Sequence, residues 1–97
     1  MAIGICLMKL TEQGIKNLKE APKRIAEAKK AIEATGGKLL DIYLTMGEYD
    51  YVAITEFPSD EIAMTYLMTL GTGGNVRTTT LKAFTLEEFQ KMTEMLP

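Results

Sequence analysis

Four consecutive residues between two apolar stretches, Gly47-Glu48-Tyr49-Asp50, bring together side chains that could do acid–base chemistry. A carboxylate can accept a proton and a phenol can donate one, so Asp50 is a candidate base and Tyr49 a candidate rim of a cleft. The same residues also suit a tight turn, because glycine adopts positive φ and aspartate accepts hydrogen bonds from nearby backbone N–H groups. Both interpretations require that the flanking stretches be paired strands.

Three basic side chains are candidates for holding an anion. Lys23 and Arg24 follow Pro22 at the predicted start of a helix, where backbone N–H groups could help to hold a negative charge. Ordinary exposed surface charge is the simpler explanation for these two residues. Arg77 follows a glycine-rich loop, and it could bind a carboxylate or form an ion pair between subunits.

The composition excludes several kinds of site. The 97 residues include no histidine, which removes the Ser-His-Asp triad, the Cys-His pair and every metal site that needs imidazole. The acidic residues are scattered, so neither a metal nor a cofactor is predicted. The loop Gly71-Thr72-Gly73-Gly74-Asn75 lacks the Gly-Lys-Ser/Thr ending of a phosphate-binding P-loop, and it follows a helix rather than a strand.

Charge and cysteine content indicate the partners and the compartment. A net charge of −2 argues against nucleic acid as a partner. Residues 1–40 carry eight basic and four acidic side chains, whereas residues 41–97 carry three and nine, so opposite faces of two subunits could attract each other. Cys6 is the only cysteine, which excludes an internal disulfide and fits a cytoplasmic protein. No apolar run is long enough to cross a membrane, so no membrane partner is predicted.

The pattern of apolar residues predicts the order β-α-β-β-α-β followed by a terminal helix. Strands are predicted at 2–10, 38–46, 51–57 and 76–84. The main helices begin near Ala21 and after the N-cap Ser59, and the last helix follows a capping-box signature at Thr85 and Glu88. This order is typical of an α+β, ferredoxin-like domain covering residues 1–97. It has a four-stranded antiparallel sheet with both main helices on one face.

The other face of the sheet is predicted to be open and chemically mixed. Leu40, Ile42 and Leu44 of the second strand, with Val52 and Ile54 of the third, are assigned to the helix side. The open face then carries Asp41, Tyr43, Thr45, Tyr51, Ala53 and Thr55. Because large apolar patches are uncommon on monomers, we expect a second copy to cover this face, forming a dimeric α/β barrel with a partly polar cleft.

Four blocks of the sequence resemble the GYD domain family. They are Thr11-Glu12-Gln13-Gly14-Ile15-Lys16, Ala21-Pro22-Lys23-Arg24, Thr45-Met46-Gly47-Glu48-Tyr49-Asp50 and Gly74-Asn75-Val76-Arg77-Thr78, followed by matches up to residue 85. The resemblance covers nearly the whole chain and includes the name-giving Gly-x-Tyr-Asp. It implies membership of the dimeric α/β-barrel group and a tendency to oligomerise. The family has no established activity, so the resemblance transfers no catalytic residue.

The predicted function is that of a small homo-oligomeric module that binds a small molecule, an anion being one option, in a cleft on the open sheet face. The candidate ligand-binding residues are Lys23, Arg24, Tyr43, Thr45, Tyr49, Asp50, Tyr51 and Arg77. A cofactor-independent isomerase or monooxygenase is an alternative that rests on fold analogy alone. A structural assembly protein is a second alternative.

Overall fold

The computed structural model describes residues 1–97 and contains four strands and four α-helices. The strands are β1 (Ala2–Leu10), β2 (Lys38–Leu44), β3 (Tyr51–Phe57) and β4 (Val76–Ala83). The helices are α1 (Glu12–Lys16), α2 (Ala21–Ala34), α3 (Asp60–Thr72) and α4 (Leu86–Glu94), and a 3-10 turn at Leu18–Glu20 connects α1 to α2. The main elements follow the predicted order, with α1 as a short addition after β1.

The four strands form one sheet in the order β2-β3-β1-β4, and every neighbouring pair is antiparallel. Each of the two main helices follows a strand and returns the chain across the sheet, and α2 and α3 pack against the same face. This is the ferredoxin-like α+β fold that the sequence predicts.

Side-chain caps fix where three of the helices begin. The Ser59 hydroxyl oxygen accepts a hydrogen bond from the Ile62 N–H at 3.2 Å, as expected for the start of α3. At α4 the predicted capping box is present. The Glu88 N–H donates to the Thr85 hydroxyl oxygen at 3.0 Å, and the Thr85 N–H donates to the Glu88 carboxylate at 3.0 Å. At α1, Thr11 caps in the same way through the Gly14 N–H.

The start of α1 is fastened to the glycine-rich loop before β4. The Thr11 N–H donates to the Asn75 carbonyl at 3.0 Å, and the Thr11 hydroxyl donates to the Gly74 carbonyl at 2.5 Å. Gly14 lies so close to this loop that a Cβ on it would overlap the Asn75 carbonyl oxygen. The segment that contains Gly14 and the loop before β4 are therefore in direct contact although they are 60 residues apart in sequence. The absence of a side chain at Gly14 is what permits this contact.

The buried core lies between the helices and one face of the sheet, and the predicted assignment of faces on β3 is wrong. Cys6 pairs with Ala53 and Met8 with Tyr51, and all four side chains are buried on the helix side. Tyr51, Ala53 and Thr55 therefore face the helices, whereas Val52 and Ile54 lie on the open face. Because β1 and β3 are apolar on both sides, alternation of apolar and polar residues could not identify the core face.

An irregularity in β2 changes the predicted pattern at one position. The register shifts between Leu39 and Asp41, so Leu39 packs against the core while the Leu40 side chain is 47% exposed. Beyond the shift, Ile42 pairs with Ala53 on the helix side, as predicted. Asp41 and Tyr43 lie on the open face as predicted, because they pair with Ile54 and Val52. Thr45 lies beyond the end of β2.

The open face is mainly aliphatic rather than mixed along the two central strands. It presents half-buried Ile3, Ile5, Leu7, Val52 and Ile54, together with the exposed Leu81 of β4. Charged side chains lie at its margins, with Lys9 opposite Arg77 and Ile3 next to Glu56. Nothing in the chain covers this surface.

Helix α4 extends away from the sheet, and the chain measures 53 × 31 × 19 Å. Every residue from Phe84 to Pro97 is exposed, including Leu86 at 85% and Phe89 at 59%. No helix of the chain is both long and apolar enough to cross a membrane.

Candidate functional site

A cavity of about 340 Å³ lies between the sheet and the two main helices. Its floor is formed by Cys6 and Met8 of β1 and by Tyr51, Ala53 and Thr55 of β3. Its walls are formed by Ile25, Ala28, Ala31 and Ile32 of α2 and by Tyr66 and Leu70 of α3. Three of the lining residues, Ala28 and Ala31 of α2 and Ala53 of β3, have short side chains, which leave space between the helix and the sheet. The volume lies within the range of small-molecule sites, about 300–1,000 Å³.

A few polar groups interrupt the apolar lining. Cys6 Sγ lies 4.0 Å from the Thr55 hydroxyl oxygen, and it accepts a hydrogen bond at 3.7 Å from the Thr80 hydroxyl, which lies outside the cavity lining. The Tyr66 ring lies 5.4 Å from the Phe57 ring, measured between centroids. Burial raises the pKa of Tyr66, with a smaller contribution from nearby Cys6, so its hydroxyl is neutral near pH 7 and can donate a hydrogen bond.

Two charged residues of α2, Arg24 and Glu27, line the cavity where it meets solvent. Arg24 is half-buried, and one of its guanidinium N–H groups donates to the Asn17 carbonyl at 2.9 Å. None of the three ion pairs in the chain involves Arg24. No carboxylate oxygen therefore lies within 4 Å of its guanidinium, although Glu27 lies one helical turn away at the same rim.

The Gly-x-Tyr-Asp segment is a turn whose carboxylate has a structural partner. Gly47 has φ of 109°, the Thr45 hydroxyl donates to the Tyr49 carbonyl at 2.6 Å, and the Thr45 N–H donates to the Asp50 carbonyl at 2.9 Å. The Asp50 carboxylate accepts a hydrogen bond from the Leu10 N–H at 2.8 Å. Asp50 thus ties the β2–β3 turn to the end of β1, which favours the turn interpretation.

Tyr49 and Arg77 line a separate, shallow groove at the end of β1, together with Lys9 and Gln13. The Lys9 ammonium lies 5.5 Å from the centre of the Tyr49 ring and 3.6 Å from the Glu48 carboxylate. Lys9 also pairs with Arg77 across β1 and β4, so two cations lie side by side on the open face.

The eight predicted site residues therefore do not form one cluster. Arg24 and Tyr51 line the helix-side cavity, and Tyr49 and Arg77 line the groove. The other four lie elsewhere. Thr45 and Asp50 hold the turn, Lys23 is exposed on α2, and the Tyr43 hydroxyl donates to the Asp41 carboxylate at 2.6 Å.

Sequence reasoning missed Thr55 and Tyr66 as cavity residues. The available signals were a hydroxyl in an otherwise apolar part of β3 and a tyrosine inside the charge-free part of α3. No group of three or more carboxylate or thiol side chains lies close enough together to hold a metal ion.

Known proteins resemble this chain in sequence and in fold. A protein from Thermus thermophilus, described as a glutamine synthetase and cystathionine beta-lyase binding protein, is 31% identical over 84 residues. The match covers 86% of this chain and 88% of that protein. The crystal structure of TTHA0845, also from Thermus thermophilus, has the same fold. Its TM-score is 0.55 at 23% identity, over 88% of this chain and 95% of that one.

The family itself follows from a match over nearly the full length of the chain. The model of the GYD domain matches residues 5–93, which include most of the central β1 strand, the Gly-x-Tyr-Asp turn and the loop that α1 contacts. The chain belongs to the GYD domain family.

Proposed function

We propose that this protein is a self-associating binding module that holds a small, largely apolar molecule between its sheet and its two main helices. The observation that carries this proposal is the cavity of about 340 Å³, whose apolar lining includes a few polar groups. The proposal moves the ligand from the open face to the helix side, because Tyr51 and Thr55 point toward the helices. The single free thiol, Cys6, supports a cytoplasmic location.

The lining indicates what the ligand should look like. An apolar body would fill the space between Ile25, Ala53 and Leu70, where water finds few hydrogen-bond partners. A carboxylate or similar anion would extend to Arg24 at the rim, because that guanidinium has no acidic partner in the chain. The neutral Tyr66 hydroxyl would serve as a further donor.

The cavity can be tested with 8-anilinonaphthalene-1-sulfonate, a fluorescent apolar anion. Ala28→Leu introduces a larger side chain into the cavity, whereas Ala26→Leu makes the same change at an exposed position of the same helix. We expect Ala28→Leu to abolish saturable binding and Ala26→Leu to retain it. Equal binding by the two variants would contradict the cavity as the site.

The role of Arg24 can be tested with the same probe. Arg24→Ala should weaken binding by about tenfold, which corresponds to about 1.4 kcal/mol, while its exposed neighbour provides the control Lys23→Ala. A similar loss in both variants would point to general surface charge rather than to a specific contact at the rim.

Self-association is supported by the aliphatic open face. Ile5, Leu7, Val52 and Ile54 lie side by side on the two central strands, and a second sheet packed over them would remove this surface from water. Equilibrium sedimentation tests this part of the proposal. We expect the wild type to be a dimer or larger, and Ile54→Glu to shift it toward monomer. The exposed control Glu33→Gln should not, and a monomeric wild type would contradict the proposal.

A second candidate function is the binding of another protein through the outer face of α3. No charged residue occurs from Ile62 to Thr72, yet Met64 is 54% exposed and Met68 59% exposed. Flexible, exposed methionines are common on surfaces that accept a partner. The 31% identical relative carries the name of an enzyme-binding protein, which supports protein partners for this chain as well.

This candidate can be tested by titration calorimetry with purified glutamine synthetase and purified cystathionine beta-lyase. If α3 forms the binding surface, Met68→Glu should abolish heat of binding, while Ile15→Glu, at an exposed position of α1, should not. Equal binding by both variants would exclude the outer face of α3. Absence of binding by the wild type would exclude these two enzymes as partners.

A further inference from the structure

We infer that α4 is an arm bound by a second copy of this chain, across the exposed edge strand β2 of that copy. This inference rests on the self-association proposed above, and it adds a second contact surface to it. It begins from two apolar surfaces that have no partner within one chain.

The first surface is α4 and the residues just after it. Phe89 and Met92 of α4 and Leu96 beyond its end follow one another at helical spacing and form an apolar stripe, and the opposite face carries Glu87 and Glu94. Every one of these residues is exposed. Isolated helices shorter than about 12–15 residues are only marginally stable in water, and α4 has nine residues. Its stability therefore calls for a surface on which the stripe is buried.

The second surface is the outer edge of β2. This strand ends the sheet, and its side chains Leu40 and Leu44 are 47% and 77% exposed, followed by Met46 at 101%. Edge strands in stable proteins are usually covered by a helix or loop or protected by charge. The charged Lys38 and Asp41 of β2 are exposed as well, but Leu40 and Leu44 remain on the edge and no element of the same chain covers them.

The two surfaces do not meet within one chain, where every residue of α4 is exposed. β2 and β4 are opposite edges of the sheet, separated by three strand spacings, or about 14 Å. Only Phe84 and Thr85 connect β4 to α4, so the arm begins at the sheet edge opposite β2. The capping box at Thr85 also fixes the point where the helix begins. In a two-fold dimer, by contrast, each arm can reach the other copy, and both contacts form at once.

Charge favours the same partner. Helix α2, which packs beside β2, carries four basic and two acidic side chains, and Lys23, Lys29 and Lys30 are exposed. The arm carries three glutamates and one lysine between Leu86 and Glu94. An acidic arm beside a basic helix is attractive at moderate ionic strength, whereas an arm beside another arm would be repulsive.

The test is disulfide trapping between differently labelled chains. One chain carries Leu44→Cys and the other carries Phe89→Cys, and the two are mixed and oxidised. The native Cys6 is buried, and wild-type protein oxidised in parallel measures its contribution. We expect the mixed pair to form a cross-linked dimer several-fold faster than either variant alone. Ile15→Cys, at an exposed position of α1, replaces Leu44→Cys in the control pair.

The outcomes separate this inference from the proposed function. Rapid trapping of the mixed pair, with slow trapping of the control pair, supports the arm. A dimer in sedimentation whose mixed pair traps no faster than the control overturns the arm and leaves the sheet-to-sheet contact standing. A monomer in sedimentation overturns both. Phe89→Glu provides a second readout, since it should lower the dimer fraction if the arm contributes to association, and an unchanged fraction counts against it.

Discussion

Asp50 offers the sharpest test of whether the Gly-x-Tyr-Asp turn is structural. Its carboxylate accepts one hydrogen bond, from the partly buried Leu10 N–H at 2.8 Å, while its own N–H and C=O bond to Met8 and Thr45. Asp50→Ala removes only the carboxylate contact and leaves the Leu10 N–H without a partner. A hydrogen bond to a charged group contributes about 1.5–3 kcal/mol, so we expect a loss of about 2 kcal/mol in the free energy of unfolding.

The corresponding change in melting temperature is easily measured. For a domain of 97 residues, about 2 kcal/mol corresponds to a decrease in Tm of about 10 °C. Asp50→Asn keeps an acceptor without the charge, so its Tm should fall between those of the wild type and Asp50→Ala. The control is Asp41→Ala, because Asp41 bonds only to its neighbours on an exposed edge strand. An Asp50→Ala protein as stable as this control would refute the structural role.

Three further predictions follow from other contacts. Gly14→Ala should lower the urea midpoint by more than any exposed Gly→Ala change, because its methyl group would overlap the carbonyl against which Gly14 packs. The backbone hydrogen bond from Thr85 holds the pKa of Glu88 below its usual value. The helix signal of α4 should therefore be full above about pH 4.5 and fall as pH drops through the lowered pKa, and Glu88→Gln should remove this dependence in circular dichroism. The hydrogen bond to Asp41 raises the pKa of Tyr43, so Asp41→Asn should shift one of the four tyrosines to a lower pKa in an absorbance titration.

Most of the fold could be predicted because its signals are local. The caps at Ser59 and Thr85 each act through neighbouring residues, and the structure confirms them. The element order then limits the topology, since right-handed crossovers place both main helices on one face. The ends of the strands differ from the predictions by only one or two residues.

The faces of the sheet could not be predicted in the same way. β3 is apolar on both sides, so its sequence fits either orientation, and only its pairing with Cys6 and Met8 decides that Tyr51 points toward the helices. The irregularity near Leu40 has no local sequence signal either. The predicted position of the binding cleft depended on these faces. The cleft was predicted on the open face, whereas the structure has its cavity on the helix side. Arg24 and Tyr51 remained in it, whereas Tyr43 and Asp50 did not.

The central position of β1 has a consequence for how the chain is made. β1 is synthesised first, but its two neighbours, β3 and β4, begin at residues 51 and 76. At ribosomal rates of about 5–20 residues per second, the first strand waits about 4–15 seconds for the last to be completed. Ile3, Ile5 and Leu7 have no native partner until β3 has been made, and β1 lacks its second neighbour for the rest of that time. Ile3, Ile5 and Leu7 of a nascent chain are therefore exposed to contacts with other molecules until the neighbouring strands have been made.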